Sequence, residues 1–361
     1  MTVRVVEDDF EERAGPYRAE LLAHSYRMLA SIDDAEDAVQ ETYVRAWRGY
    51  HRFEGRSSIR TWLYRIATNT CLRSLEHRSR RVLPTGLGGP GQDPAALLTE
   101  SPELTWLEPL SDSMLGAGTG GAEDPLATVA QRQSVRLAFI AALQRLTPRQ
   151  RAVFILREVL TFSAAEVADM LEVSPVAVNS LMQRARAHFD RAPLLESDVI
   201  EPDAPEQREL LDRYVTAMHA NDVEALVSTL TEDAVWEMPP YPDWFHGART
   251  IGQMIAAQSP AQRPGDHLLV PTSANGQPAF GLYLPDHDGV HRPFNLQVLT
   301  LTQEGISRVV AFFDQRLFAP FGLVDTAAHG ERGEGESPPV SRSRERPHGG
   351  SIRYAEEVRR Q

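Results

Sequence analysis

The stretch "SAAEVADMLEVSPVAVNSLMQRARA", residues 163–187, predicts two short helices joined by a tight turn. Ser163 can cap the first helix, and Glu166 follows it at the spacing of a capping box. Ser174 and Pro175 then begin the second helix, which carries two arginines near its end. Two capped helices around a turn of about three or four residues predict a helix-turn-helix, a motif that binds duplex DNA.

The segment just upstream, "LTPRQRAVFILREVL" at residues 146–160, repeats this capping design. Thr147 is its predicted N-cap, Pro148 stands at the first helical position, and Gln150 closes the capping box. Seven apolar side chains can pack the two helices of the helix-turn-helix together: Val167, Ala168, Leu171, Val173, Val178, Leu181 and Met182.

The basic stretch "EGRSSIRTWLYRIATNTCLRSLEHRSRR", residues 54–81, predicts a helix that begins near Ser58. Its apolar side comprises Ile59, Trp62, Leu63, Ile66 and Thr70, and its other residues include Arg60, Tyr64, Arg65, Asn69 and Arg73. Arginines beside an aromatic ring suit single-stranded nucleic acid, because guanidinium groups bind phosphates while the ring stacks on a base. The small residues Gly55 and Ser57 predict a loop that can enclose an extruded base.

The segment from Asp33 to Arg48 begins with acids, as helix N-termini favour. One face is apolar and the opposite face is charged; the apolar stripe comprises Ala38, Val39, Thr42, Tyr43, Ala46 and Trp47. Spacing alone leaves two interpretations of the charged face, which are an ordinary solvated surface and a docking surface for a partner.

Composition indicates a soluble protein of two or three domains, since the chain has 361 residues, 42% hydrophobic and 24% charged. No stretch approaches the roughly 20 apolar residues of a membrane span, and the acidic N-terminus lacks a signal core. A single cysteine, Cys71, excludes an internal disulfide and suits a reducing cytoplasm, where we expect the protein to act without contacting a membrane.

Charge is distributed unevenly along the chain. The net charge is −13, yet residues 52–81 hold eight arginines, whereas residues 83–127 hold seven acids and no basic residue. Such asymmetry indicates a charged partner.

The sequence pattern also divides the chain into segments. The predicted segments are an N-terminal extension (1–14), a helical domain (15–82), an acidic Gly/Pro-rich linker (83–127), the helix-turn-helix domain (128–192), a hinge (193–205), an α+β domain with a curved antiparallel sheet (206–324) and a disordered tail (325–361).

Three motifs in this order carry a family resemblance: "DDAEDAVQETYVRAW", "FEGRSSIRTWLYRIATNTCL" and the segment from Leu146 to Ala187. Together they resemble bacterial RNA polymerase sigma factors of the extracytoplasmic-function (ECF) group. The α+β domain is similar to the NTF2-like or SnoaL-like fold, which a subset of these sigma factors carries as a C-terminal extension. The resemblance implies a multidomain chain with two all-α sigma domains and a C-terminal α+β NTF2-like cone.

The resemblance further implies binding to core RNA polymerase, promoter recognition and strand opening. Docking on the clamp helices of the β′ subunit would use Asp34, Asp37, Gln40, Glu41, Val44 and Trp47. The melted minus-ten element would contact Arg56, Ser57, Ser58, Arg60, Trp62, Arg65, Asn69, Arg73 and Arg80, and Arg78 and Arg81 would also hold phosphates. The duplex minus-35 element would contact Ser174, Val176, Asn179, Ser180, Gln183, Arg184 and Arg186.

Two further implications concern the rest of the polymerase. The helix-turn-helix domain would also contact the β-subunit flap, and the acidic linker would pass through the active-site and RNA-exit region. Asn179 and Leu181 stand where recognition helices of the family often carry more arginine; since asparagine suits adenine, no minus-35 consensus is transferred to this chain.

A cone of the NTF2-like type has a pocket, and its candidate lining residues here are Trp236, Met238, Trp244, His246, Asn295, Gln297 and Asp314. The pocket could bind a small regulatory ligand, serve only as a contact with the sigma domains, or catalyse through Glu237, His246 or Asp314 as acid or base. We expect regulation in cis, with no enzymatic activity and no cofactor. We also expect no metal, because the histidines of this domain lack ligand spacing.

One competing hypothesis is a one-component, ligand-sensing helix-turn-helix regulator that works without polymerase core. Such a regulator would not need residues 33–81. Another is an enzyme with a nucleic-acid-binding front end, but it would require a catalytic constellation that the sequence does not display.

Overall fold

The computed structural model describes residues 9–76, 79–115, 133–189 and 205–326. The first helical group consists of α1 (Arg18–Leu29), α2 (Ile32–Gly49) and α3 (Ile59–Leu75). The side chain of Ser31 accepts a hydrogen bond from the backbone of Asp34, and Ser58 accepts one from Thr61. These N-caps fix where α2 and α3 begin.

The second helical group consists of α4 (Leu137–Gln144), α5 (Pro148–Phe154), α6 (Ala164–Leu171) and α7 (Pro175–Phe189). The capping boxes predicted at Thr147 and Ser163 are both confirmed. Glu172 ends α6 in the left-handed region, with φ of 54°, and this residue turns the chain into α7. Helices α6 and α7 are therefore the predicted helix-turn-helix.

The C-terminal domain begins with α8 (Pro205–Ala220) and α9 (Val223–Val227), and α10 (Ala248–Gln258) follows the second strand. Its strands are β1 (Leu230–Glu237), β2 (Trp244–His246), β3 (Leu268–Ala274), β4 (Gln277–Pro285), β5 (His291–Leu301) and β6 (Ile306–Phe312). They form one six-stranded sheet in the order β2-β1-β6-β5-β4-β3. The predicted α+β arrangement is confirmed.

The sheet differs from the predicted antiparallel one in the pairing of β1 with β6, which is parallel. Strand β6 follows β5 through a tight turn in which the backbone of Thr302 donates to Gly305 at 2.9 Å. That turn reverses the chain, so β6 runs in the direction of β1 and lies beside it. The sequence also predicts one β-rich run where β5 and β6 form, and it gives no signal for the three-residue β2.

The two faces of the sheet belong to different hydrophobic cores. Tyr214 of α8 packs with Phe280 and Leu299 inside the cone. Tyr283 and Val298, on the outer face, belong to the same cluster of buried residues as the two helical groups. The helices cover the outer face of the sheet. The core on this outer face is therefore continuous between the helical groups and the C-terminal domain.

Residues 83–112, here named the strap, form the first part of the predicted linker. Leu83, Leu107 and Leu110 of the strap are buried in the core shared with the helices. This portion of the predicted linker is thus packed, in contrast to what its Gly/Pro-rich composition suggests. Among the described residues, no helix has the length and apolar character that would let it cross a membrane.

Candidate nucleic-acid and polymerase interfaces

Helix α7 presents one buried face and one exposed face. Val178, Met182 and Ala185 are buried against the other helices of the group. The residues predicted to contact the minus-35 element are all exposed: Ser174, Val176, Asn179, Ser180, Gln183, Arg184 and Arg186. This arrangement leaves polar donors and acceptors and one apolar side chain on the surface, as contact with base edges in a major groove requires.

The loop before α3 and the ends of the basic stretch are also on the surface. The exposed residues among the predicted minus-ten set are Arg56, Ser57, Ser58, Arg65, Arg73 and Arg80. Trp62 is half-buried, with its ring centroid 5.0 Å from that of Phe53 and 6.4 Å from that of Tyr50. Arg78 lies outside the described residues.

Tyr64 does not lie where the helical pattern predicts. Its side chain is fully buried, and its hydroxyl donates to the carboxylate of Glu20 at 3.1 Å. Burial raises the pKa of Tyr64 above its ordinary value, and the Glu20 charge adds to this effect. The prediction that this ring is available beside the arginines is wrong, because Tyr64 is a core residue.

Helix α6 covers part of the α3 face that is predicted to bind the minus-ten element. The side-chain amide nitrogen of Asn69 donates to the backbone carbonyl of Met170 at 3.2 Å. One turn earlier, the Arg65 guanidinium donates to the Glu172 carboxylate at 2.8 Å. Asn69 and Arg65 are therefore engaged by the helix-turn-helix.

Arg60 is held between the two helical groups as well. Its guanidinium donates to Glu20 at 3.0 Å and lies 4.9 Å from the ring centroid of Tyr64. The same guanidinium lies 5.1 Å from the ring centroid of Phe162, in the segment before α6. Cation–π contacts of this kind are worth about 0.5–2 kcal/mol, depending on solvent exposure.

Arg81 connects the strap to the first helical group instead of pointing freely to solvent. It donates to Asp34 at 2.8 Å and to Glu108 at 3.1 Å. Glu108 also accepts from the backbone of Ile32 at 3.0 Å. Asp34, predicted to contact polymerase, thus takes part in an internal ion pair.

Four of the other predicted polymerase-binding residues form a stripe along α2. Asp37, Gln40, Val44 and Trp47 are exposed, and their spacing of three, four and three residues places them on one helix face. Val44 is 42% exposed and Trp47 is 47% exposed, although Trp47 is predicted to belong to the apolar stripe. Glu41, beside this stripe, is paired with Arg45 at 2.5 Å.

The predicted pocket residues fall into two groups. Trp236, Met238, Asn295 and Gln297 are buried in the C-terminal domain. The hydroxyl of Tyr214 donates to the Gln297 side chain at 2.9 Å inside the cone.

The other three predicted pocket residues are not brought into this interior. His246 is exposed, and Asp314 pairs with Arg316 at 2.6 Å. Trp244 is half-buried and bonds to the strap, since its indole nitrogen donates to the carbonyl of Gly88 at 3.0 Å.

Glu237, the remaining candidate acid or base, is fully buried and doubly engaged. Arg308 donates to it at 2.7 Å, and the backbone of Thr85 donates at 2.9 Å. A carboxylate held in this way is a structural anchor for the strap.

The strap makes further bonds across the C-terminal domain. The backbone of Gly91 donates to the carbonyl of Trp244 at 2.7 Å. Farther along, the side chain of Gln258 donates to the carbonyl of Ala96 at 2.7 Å. A side chain at Gly91 would meet the ring of Phe245 at 3.0 Å, so this close approach favours glycine.

Asn275 joins the C-terminal domain to both helical groups. It is fully buried, and its side chain accepts from Leu110 at 2.8 Å. The amide nitrogen of the same side chain donates to the Tyr26 hydroxyl at 2.9 Å and to the carbonyl of Val135 at 2.6 Å. One side chain therefore contacts α1, the strap and the segment that leads into α4.

Comparison with known proteins identifies the two helical groups. Sigma-70 region 2 matches residues 15–81, and Sigma-70 region 4 matches residues 136–189. The chain is 53% identical over 319 residues to the ECF RNA polymerase sigma factor SigG of Mycobacterium tuberculosis, an alignment that covers 88% of this chain and 85% of that protein. The chain belongs to the ECF RNA polymerase sigma factors.

The C-terminal extension of this ECF sigma factor is also found in a relative. The ECF RNA polymerase sigma factor SigJ of Mycobacterium tuberculosis is 32% identical over 221 residues, or 61% of each chain. A crystal structure of SigJ matches with a TM-score of 0.56 at 24% identity, and the match covers 88% of this chain and 99% of that one. The fold of two helical domains followed by an α+β domain is therefore shared.

Sequence reasoning missed Asn275, which connects the three parts of this sigma factor. The dipeptide Asn275-Gly276 between two β-rich runs is a hairpin signal, and it predicts the turn between β3 and β4. Asn275 has φ of 58°, a conformation that asparagine tolerates better than most residues. The turn is thus visible in the sequence, whereas the partners of its side chain are not.

Proposed function

We propose that this sigma factor docks on core RNA polymerase through the exposed α2 stripe and binds promoter DNA through α3 and α7. The stripe of Asp37, Gln40, Val44 and Trp47 supports the first assignment, because it combines exposed apolar and polar groups on one helix face. The exposed face of α7 supports binding of duplex DNA. The protein acts as a specificity subunit in the cytoplasm, where its polymerase works, and not as an enzyme.

Promoter binding requires the two helical groups to separate. The minus-ten and minus-35 elements are about 25 base pairs apart, which is roughly 85 Å along B-form DNA. Arg65 and Asn69 of α3, by contrast, form bonds of 2.8 and 3.2 Å to residues of α6 and its C-terminal end. The arrangement described here is therefore a closed state, and an open state binds the promoter.

The C-terminal domain regulates this opening in cis. Asn275 is the observation that carries the proposal, since its side chain bonds to residues of α1, the strap and the segment leading into α4. A buried side chain with three partners costs free energy to disengage, because the Leu110 amide and the Val135 carbonyl would lose their side-chain partner. The domain thus stabilises the closed state relative to the open one.

A small polar ligand inside the cone could control the domain in turn. Two buried side chains point to such a ligand: Asn295 Oδ1 and both side-chain polar atoms of Gln207 have no hydrogen-bond partner among the described residues. Native mass spectrometry of the intact protein, purified from its host, would detect a co-purified small molecule. A bare protein mass in every preparation, together with unchanged stability in extracts of small molecules, would contradict this part of the proposal.

Reconstitution with core polymerase tests the sigma function itself. The purified chain should co-migrate with core enzyme and direct initiation at defined start sites on genomic DNA fragments. It should also bind a forked template once core is present. If the chain instead binds intact duplex without core and supports no initiation, the one-component regulator becomes the better explanation.

Regulation in cis is best tested by a point substitution. Deletion from residue 206 would uncover the apolar outer face of the sheet and the helices packed on it, so loss of activity would be ambiguous. Asn275→Gly removes the three side-chain hydrogen bonds. Glycine readily adopts the positive φ of this position, so the backbone of the turn is not strained. We expect it to raise initiation at limiting promoter concentration, and equal initiation by the folded variant and the parent would exclude regulation through this contact.

A further inference from the structure

The two helical groups and the strap enclose a cleft with a volume of about 670 Å³. Its walls include Leu29 and Leu75 from the first helical group, Thr105 from the strap, and Leu146 and Pro148 from the second group. Cavities of roughly this size hold small molecules in other proteins. The cleft does not include the exposed α2 stripe or the exposed face of α7, although two of its lining residues, Asp34 and Arg80, are predicted above to contact polymerase and the minus-ten element.

The charge of the cleft is strongly positive. Four arginines and one carboxylate line it: Arg80, Arg81, Arg145, Arg151 and Asp34. The carboxylate is already used, because Asp34 pairs with Arg81 at 2.8 Å. Three arginines therefore remain without a carboxylate in the lining.

Arg151 is buried, and its guanidinium is bound only by backbone carbonyls in the described part of the chain. It donates to Leu143 at 2.9 Å, to Gln144 at 3.2 Å, to Leu146 at 3.3 Å and to Met28. These carbonyls satisfy its hydrogen-bonding groups but do not neutralise its charge. Burial lowers the pKa of Arg151 to about 10, and the charge of Arg80 acts in the same direction.

Arg80 and Arg145 are the adaptable groups of the cleft. Both side chains are exposed, and across residues 9–76, 79–115, 133–189 and 205–326 neither forms a side-chain hydrogen bond or an ion pair. Arg80 follows the first helical group, whereas Arg145 directly follows α4 of the second. Two guanidinium groups from different domains thus border one cationic cleft beside a third, buried one.

We propose that this cleft binds a small polyanion with two or more phosphate groups, which bridges Arg80 and Arg145. Guanidinium groups bind phosphate oxygens in a two-pronged geometry, so arginines suit this ligand better than they suit a single carboxylate. The hydroxyls of Ser79, Thr105 and Thr147 line the same cleft and supply neutral donors. The ligand is an inorganic polyphosphate or a nucleoside polyphosphate, since arginines recognise the same phosphate groups in both.

Because the cleft is formed by both helical groups, the bound polyanion stabilises the closed state by mass action. This consequence rests on the proposed opening of the sigma factor, but the binding site does not. A polyphosphate would then act against promoter binding, and its effect would add to that of the C-terminal domain.

Calorimetric titration of the full-length protein, without polymerase or DNA, tests the site. The probes are tripolyphosphate, ATP and adenosine. We expect the first two to bind and adenosine not to bind, with affinity falling steeply as salt is raised from about 50 to about 500 mM. Binding of ATP but not of tripolyphosphate, or equal binding of ATP and adenosine, would overturn the assignment.

Three variants locate the site. Arg145→Gln and Arg80→Gln should each weaken tripolyphosphate binding about tenfold, because each removes one charge-assisted contact. Arg149→Gln is the matched control, since Arg149 is an exposed arginine of α5 that does not line the cleft. Unchanged affinity in the first two variants, or an equal loss in all three, would contradict a specific site.

Hydrogen exchange distinguishes this proposal from the sigma function. At a concentration near the dissociation constant of the parent protein, tripolyphosphate should increase the protection of amides in α3 and α6 of the parent and should increase it much less in Arg145→Gln. If the protein binds tripolyphosphate through Arg145 but fails to initiate transcription, the proposed binding site is supported and only the sigma function is refuted.

Discussion

The side chain of Asn69 donates a hydrogen bond to the backbone carbonyl of Met170, with 3.2 Å between the two atoms. Asn69 lies on the helix expected to hold melted DNA, and Met170 lies on the first helix of the helix-turn-helix. Under the proposed function, the bond joins two surfaces that would lie far apart on a promoter. The closed state would then compete directly with the DNA-bound state.

Removing the Glu172 charge should favour the open state slightly. Arg65 and Glu172 are both substantially exposed, and surface ion pairs are worth about 0–1 kcal/mol. Glu172→Gln should therefore tighten binding to a forked template, in the presence of core, by no more than about fivefold in a fluorescence anisotropy titration. Asp169→Asn, which removes an exposed charge from the same helix, should leave the affinity unchanged; an equal gain in both variants would point to general charge instead.

Asn275→Gly should lower the free energy of unfolding by about 2–4 kcal/mol, as measured by urea denaturation. The substitution leaves the Leu110 amide and the Val135 carbonyl without their buried partner. Asn221→Gly is the matched control, because Asn221 also has positive φ, of 53°, but its side chain makes a single long bond. If the two variants lose similar amounts of unfolding free energy, the buried hydrogen bonds of Asn275 do not explain the loss.

Val44→Asp should abolish co-migration with core polymerase at concentrations where the parent binds. A charge in the middle of the exposed α2 stripe would have to be desolvated at the interface. The control is Val290→Asp, since Val290 is 38% exposed, close to the 42% of Val44, but lies in the C-terminal domain. Retained binding by Val44→Asp would mean that polymerase docks elsewhere.

Substitutions on α7 should separate base recognition from phosphate binding. Asn179→Ala and Gln183→Ala should each relax the preference for a cognate duplex by about 1–3 kcal/mol, because amide side chains contact base edges. Arg184→Gln should weaken cognate and unrelated duplexes alike and reduce the salt dependence of binding. A selection of bound sequences by each variant would measure both effects, and unaltered preferences in all three would exclude α7 as the reading helix.

The stability of the protein should fall below about pH 6.5 because of His24. Burial lowers the pKa of His24 to about 3, and the charges of Arg27 and Arg60 act in the same direction. The unfolded chain takes up a proton near pH 6.5 that the folded chain does not, so the stabilising contribution is present above that pH and is lost as the pH falls toward 3. The expected loss by pH 5 is about 2 kcal/mol.

The variant His24→Gln isolates this contribution. Its free energy of unfolding should change less between pH 7 and pH 5 than that of the parent protein, whereas His246→Gln, at an exposed histidine, should behave like the parent. Urea denaturation at several pH values measures the difference. Identical pH profiles for His24→Gln and the parent would assign the loss to other groups.

The sequence by itself determined the local elements and the identity of the helical domains. The capping boxes at Thr147 and Ser163 depend on residues three positions apart, and the exposed face of α7 follows from helical periodicity. Such features arise from interactions within a few residues, so they can be predicted without knowledge of the fold. The Asn-Gly turn before β4 is visible for the same reason.

Only the tertiary structure decided which of these elements contact one another. Tyr64 is buried, and the strap is packed despite its composition, because residues distant in the sequence cover them. The partners of Asn275 are 140, 165 and 249 residues away in the chain. Contacts over such separations depend on how whole domains pack, and that packing places α3 against the helix-turn-helix.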